Sequence, residues 1–370
     1  MQPIAYLDHN ATTPLREAAK QAITDALDQF GNPSSVHAPG RQTKAKLDKA
    51  RAQIAALVGA RPRDVVFTGG GTEGNNTVLR QDGWSKVFVS AVEHECSFAA
   101  LKAGGVDHEV LPVDANGVLR LDVLKEKLIG ADKTVLVSVM AANNETGVLQ
   151  PLEQIGQIVA ESGARFHTDA AQYVGKYLLD INAIKSDYIT LTGHKFGGPK
   201  GVGAIILSPT APLSAFLVGG GQELGRRSGT ENTLGIVGMG AAAEEALMDL
   251  NAFTELSALR DRFEQAVRTT ANDLFIAGGE TDRLANTSCI AMPGVKGETQ
   301  VMHMDLNGIA ISSGSACSSG KVKISHVLEA MGEADRAGET IRVSLGKGST
   351  DDDIDRLIEA WKALYQRTRG

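Results

Sequence analysis

Cysteine is scarce in this 370-residue chain, with Cys96, Cys289 and Cys317 making up the whole complement. Three is an odd number, so at least one thiol stays unpaired, and the spacing suits neither a disulfide framework nor a zinc site. Such usage fits a reducing compartment. Long apolar runs are also missing. No stretch approaches the roughly 20 residues that cross a bilayer, and residues 1–8 lack the basic and then apolar pattern of an export signal. No internal repeat, low-complexity tract or Pro/Gly-rich linker breaks the chain. The net charge of -7 gives no general reason to expect nucleic-acid or membrane binding. The expectation is a cytoplasmic enzyme.

The length allows one large domain and one smaller one, each with its own core. Short apolar runs alternate with helical patterns, which points to α/β architecture. The candidate strands are Val65–Thr68, Lys86–Ser90, Val135–Met140, Ala164–Thr168, Asp187–Leu191 and Gly203–Leu207. None alternates strictly, as expected of a sheet covered on both faces. Helical periodicity is expected over 14–30 and 42–58, after Pro151, over 234–250 and 254–273, and in the tail. The tail opens on Thr350 followed by three aspartates, a cap with acidic residues at the positive end of the dipole. A domain change is placed near residue 250.

Three segments carry chemistry. Thr192-Gly193-His194-Lys195 follows a candidate strand and leads into a glycine-rich turn, which suits a lysine that meets a small aldehyde. Gly69-Gly70-Gly71-Thr72 follows Val65–Thr68 and opens a helix, where backbone N–H groups can approach an anion. His167-Thr168-Asp169 ends a third strand, and a carboxylate there can keep a pyridine ring protonated as an electron sink. Each also has a plain reading: a surface lysine, a glycine-rich connection, a helix cap. All three fall at carboxyl ends of candidate strands, the edge at which open α/β sheets bind ligands.

Further segments occur in order around these. They are Leu7-Asp8-His9-Asn10-Ala11-Thr12-Thr13-Pro14, Gly31-Asn32-Pro33-Ser34-Ser35-Val36-His37, Glu93-His94-Glu95 and Asn143-Asn144-Glu145-Thr146-Gly147. Then come Arg227-Ser228-Gly229-Thr230, Ser313-Gly314-Ser315-Ala316-Cys317 and Ile341-Arg342-Val343-Ser344-Leu345-Gly346. With them the chain resembles the cysteine desulfurases of the NifS/IscS type, in the class V aminotransferase branch of fold-type I pyridoxal-phosphate (PLP) enzymes. The resemblance implies a large domain over 14–250, with a mainly parallel seven-stranded sheet between helices. It implies a smaller α+β domain from 1–13 and 251–370, carrying the cysteine loop.

The resemblance also implies roles. Lys195 is similar to the Schiff-base lysine, and His94 to the imidazole that stacks on the ring and moves protons. Asp169 is similar to the partner of the pyridine nitrogen, and Gln172 and Asn144 to groups near the ring hydroxyl and substrate. Thr72, Thr192 and His194 look like phosphate ligands, with Thr230 lent by the second subunit of a homodimer. Arg342 looks like the anchor for the substrate carboxylate, a task suited to a planar bidentate donor. Cys317, in a small, polar serine/glycine segment, looks like the acceptor of sulfur from L-cysteine. The implied products are L-alanine and a persulfide, with sulfur passed to an iron–sulfur scaffold or a tRNA-thiolation protein. Leu224 departs from the pattern where many relatives carry arginine. The rival activities on this fold are a selenocysteine lyase and an aminotransferase. Cys289 lies in an apolar run and reads as structural, whereas Cys96, two residues from His94, is open to either reading.

Overall fold

The computed structural model describes residues 3–271, 273–314 and 324–369. A seven-stranded sheet forms the centre of the larger part. In spatial order its strands are Val65–Thr68, Gly203–Leu207, Tyr188–Thr192, Arg165–Asp169, Val135–Ser138, Lys86–Ser90 and His108–Leu111. Gly203–Leu207 runs antiparallel to both neighbours, and every other pairing is parallel. The mainly parallel sheet expected from the resemblance is therefore present.

Apolar side chains cover both faces, which is why the strand sequences do not alternate. On one face, helices Ala38–Leu57, Leu152–Ser162 and Thr233–Met248 bury Leu47, Ile54, Ile155, Ile236 and Met239 against Phe67, Phe166 and Ile189. On the other, helices Gly71–Leu79 and Glu95–Gly104 bury Val78, Leu79 and Leu101 against Val66, Val87 and Ile205.

A second core lies in the C-terminal third. Strands Ser312–Ser313, Thr340–Ser344, Thr287–Ala291 and Phe275–Ile276 form an antiparallel sheet in that order. Helices Leu256–Arg268, Gly297–Leu306 and Asp351–Arg369 supply Phe263, Met304, Leu357 and Trp361 to it. The start of the chain joins this core, because Ala5–Tyr6 pairs in parallel with Ile309–Ala310 and Leu7 is fully buried there. The tail helix begins where its sequence signal stands. Asp353 N–H donates to Thr350 Oγ1 (3.3 Å) and Thr350 N–H donates to Asp353 Oδ2 (2.9 Å), a reciprocal cap.

The four strands of the smaller sheet were not among the candidates, and a helix and an edge strand of the larger part differ from the sequence reading as well. The helix expected over 14–30 spans only Glu17–Thr24. Leu15 and Phe30, apolar residues near the two ends of that range, are exposed, so burial does not extend the helix beyond its middle turns. Edge strand His108–Leu111 was not expected at all. It pairs on one side only and keeps most of its side chains partly or fully exposed, so it lacks the apolar run that marked the others.

Candidate active site

Carboxyl ends of the parallel strands converge on a cavity of about 200 Å³. Its lining includes Thr72, His94, Asn144, Asp169, Gln172, Thr192, His194 and Lys195, together with Asn10 and Cys96. An adjoining cavity of about 420 Å³ shares Gly71, Thr72, Thr192 and His194 and adds Gly69, Gly70 and Lys200. Residues 120 positions apart in sequence thus meet because their strands share one edge.

Asp169 ends its strand buried. Its Oδ2 accepts from Asn75 Nδ2 (2.6 Å) and its Oδ1 from Ala171 N–H (2.9 Å). The two donors fix both oxygens and so set the direction in which the carboxyl group faces. Asn75 comes from the first helix after the glycine run, so that helix fixes the anion as well as the cradle. Gly74 permits this approach, since a Cβ there would lie 2.6 Å from Thr190 Cγ2. Gly70, with φ +147°, turns the chain between strand and helix in a region L residues avoid.

The glycine cradle presents the N-terminus of helix Gly71–Leu79, where the first N–H groups lack intrahelical partners. Glu73 would oppose an anion there, but it pairs with Arg227 (2.9 Å) and accepts from Gly69 N–H (2.7 Å). His194 adds a neutral imidazole. Burial first, then the Lys195 and Lys200 charges, pushes its pKa down to about 4, and its Nδ1 is hydrogen-bonded to Thr12 Oγ1 (3.2 Å).

His94 caps helix Glu95–Gly104, its Nδ1 accepting from Cys96 N–H (3.2 Å). Burial lowers its pKa against the opposing pull of Asp169. The ring is therefore neutral at pH 7 with its proton on Nε2. Lys195 follows strand Tyr188–Thr192, and its Nζ donates to Ala11 O (2.9 Å) and to Asn10 O. The beginning of the chain thus forms the seat of the amine.

The donor set suits a flat pyridine aldehyde with a phosphate arm. It offers a carboxylate for a ring N–H, an amide beside a ring hydroxyl, an amine for the aldehyde, and hydroxyls with helix N–H groups for the phosphate.

Residues 5–357 match the family model described as aminotransferase class-V. The cysteine desulfurase IscS of Dictyoglomus turgidum is 37% identical over 100% of this chain and 96% of its own length. The cysteine desulfurase of Trichormus azollae is 41% identical over 99% and 94%. Among solved structures, a NifS-like protein from Rickettsia africae superposes with a TM-score of 0.91 at 34% identity, covering 98% of this chain and 99% of that one. The chain belongs to the class-V aminotransferase family, in its cysteine desulfurase branch.

Not every residue singled out from the desulfurase pattern meets in the cavity. Arg342 is buried just beside it, donating to Asp8 Oδ1 (2.7 Å) and to the carbonyl of Asn144 (3.1 Å). Its Nε has no partner among the described residues. Thr230 is exposed and absent from the lining of both cavities. Cys317 lies outside the described residues.

Cys96 faces the cavity, but burial and the Asp169 charge push its thiol up to about 12. It is a poor nucleophile in this setting. Cys289 is fully buried, as its apolar run suggested. Sequence reasoning assigned no role to Asn10, Asn75 or Lys176. Asn10 stands inside a segment already noted, Asn75 three residues after Thr72, and Lys176 four residues after Gln172. Their role depends on hydrogen bonds that span the chain, which no local spacing encodes.

Proposed function

We propose that this chain is a PLP-dependent cysteine desulfurase that takes sulfur from L-cysteine, leaving L-alanine and a persulfide on Cys317. The observation that carries the reading is one cavity holding Lys195, Asp169, His94 and Gln172 with the glycine cradle at its side. In this reading Lys195 holds the cofactor aldehyde, Asp169 the ring nitrogen and Gln172 the ring oxygen. Thr72, Thr192 and His194 hold the phosphate. When bound, the cofactor supplies an electron sink that acidifies the substrate Cα–H and loosens the Cβ–S bond.

The protein supplies position and protons. Displaced from the aldehyde, the Lys195 amine is the base at Cα, placed at the strand end where it reaches the cavity. Asp169, held in place by its two donors, pairs with the protonated ring nitrogen. His94 holds a proton at Nε2 over the site. Arg342 and Asn144 flank the place for the substrate carboxylate. The Cys317 thiolate attacks the substrate sulfur as the Cβ–S bond breaks. The sulfur stays on Cys317 and the substrate Cβ gains a proton, so cysteine and a thiol become alanine and a persulfide.

We place the large domain at 14–250 and the small domain at 1–13 and 251–370. The proposed assembly is a homodimer in which a second subunit lends Thr230. Exposed Phe216, Leu217, Val218 and Leu224 in the same loop region support a covered face. The acceptor of the persulfide is an iron–sulfur scaffold or another sulfur-acceptor protein, and a cytoplasmic location fits this role. Among the described residues no helix is long and apolar enough to cross a membrane.

The test is alanine and sulfide production from cysteine, with Lys195→Ala and Cys317→Ser as controls. Lys195→Ala should abolish turnover and the borohydride-fixed label. Cys317→Ser should abolish sulfide release while the protein still binds PLP. Normal turnover in either variant would overturn the corresponding assignment.

A further inference from the structure

Lys176 is a buried amine that the proposed chemistry leaves unused, and it touches that chemistry through one neighbour. A tight turn after Asp169, with Val174 N–H on Ala170 O (3.0 Å) and Lys176 N–H on Tyr173 O (3.1 Å), brings it back toward Gln172. Lys176 is 3% exposed. Its Nζ donates to Gln172 Oε1 (2.9 Å) and to Asn10 Oδ1 (3.0 Å). Two amide oxygens match the two N–H bonds of a neutral amine. Burial, reinforced by the charges of Lys195 and Arg342, pushes its pKa well below that of an ordinary lysine.

The far end of the Gln172 amide is fixed as well. Its Nε2 donates to the backbone carbonyl of Asn10 (2.8 Å), an atom that can only accept. The amide is thereby oriented by chemistry at both ends: oxygen on Lys176, nitrogen on Asn10. The second Nε2 hydrogen is its remaining donor, on a residue that lines the cavity. Without Lys176, the Gln172 oxygen is left buried and unpaired, and the amide is held at its nitrogen end alone, by the Asn10 carbonyl. The second N–H would then lose its fixed aim into the cavity, because the amide can turn about the one bond that remains.

We propose that Lys176 is a positioning residue of the active site, holding Gln172 so that its N–H, not its oxygen, meets the ligand. Such a site selects a ligand bearing an acceptor oxygen at that point, as the ring oxygen of PLP does. The inference rests on the cofactor reading above.

Its test is a double-mutant cycle on purified apoprotein titrated with PLP. The visible absorbance band gives both the dissociation constant and the pH midpoint of the bound cofactor. Lys176→Met should weaken binding about tenfold, the size expected for one mispaired buried group, and should move the pH midpoint. In a Gln172→Ala background the same change should cost less than about twofold, because coupled residues are non-additive. Should Lys176→Met not fold, Lys176→Gln carries the same cycle. Equal losses in both backgrounds, or an unmoved midpoint, would overturn the positioning role and leave the cofactor reading intact. A wild-type protein with no visible band and no borohydride-fixed label would sink both.

Discussion

Asp169 is a single carboxylate whose usefulness depends on a neighbour. Asn75 Nδ2 lies 2.6 Å from it and adds a hydrogen bond to a charged acceptor, of a kind worth about 1.5–3 kcal/mol. Asn75→Ala should therefore weaken PLP binding by roughly tenfold or more, read from the visible band on titration, while Cys96→Ala should change sulfide release by less than about twofold. His167 makes a different prediction. It is fully buried between Ser138 Oγ (2.9 Å) and Thr190 Oγ1 (3.0 Å), and burial holds its pKa down to about 4. Between the ordinary value near 6.5 and 4, the unfolded chain binds a proton that the folded chain refuses. Stability is therefore lost as pH falls through that window. At pH 5 this one group should cost on the order of 1–2 kcal/mol. Urea unfolding at pH 7 and pH 5 should show a smaller difference in His167→Gln than in the wild type.

At the scale of elements, the helix Gly71–Leu79 matters most. It carries Thr72 and Asn75 and is pressed onto the sheet at Gly74, where an added Cβ would meet Thr190 Cγ2 at 2.6 Å. Gly74→Ala should cost about 1–3 kcal/mol by overpacking and loosen PLP together with it, a joint loss measurable by urea unfolding and cofactor titration. The buried strands of the seven-stranded sheet were legible in the sequence because each is an apolar run bounded by turn residues, whereas the equally buried Thr287–Ala291 and Thr340–Ser344, with their polar residues, were not. Val65–Thr68 and Gly203–Leu207 begin and end where the residues say. His108–Leu111 was illegible because an edge strand with exposed positions carries no such run. The same contrast holds in the site. Lys195, Asp169 and Thr72 could be found because each ends a strand or opens a helix. Lys176 could not, because its meaning comes from a turn and from Asn10, 166 positions away.

Across the whole molecule, the two cores meet at a four-charge cluster. Arg16 pairs with Glu245 (3.1 Å) and Asp249 (2.5 Å), and Lys347 pairs with the same two carboxylates (3.0 and 2.6 Å). Arg16 is mostly buried and also donates to Phe196 O (2.8 Å), next to Lys195, while Lys347 is largely exposed. Removing the two cations should therefore be unequal: Arg16→Met should cost about 1–3 kcal/mol and Lys347→Met less than about 1 kcal/mol, compared by urea midpoints. A second long-range tie has a temporal consequence. The carbonyls of Asn10 and Ala11 seat the Lys195 amine, yet the segment that presents them is hung on Ile309–Ala310 and on Ser344, to which His9 and Asn10 N–H groups donate (3.0 and 2.9 Å). A ribosome that has already made the lysine has still to make the strands that hold its receptor in place. Vitamin capture is then an event of the finished polypeptide, and a nascent chain halted at residue 300 should emerge folded in part but colourless.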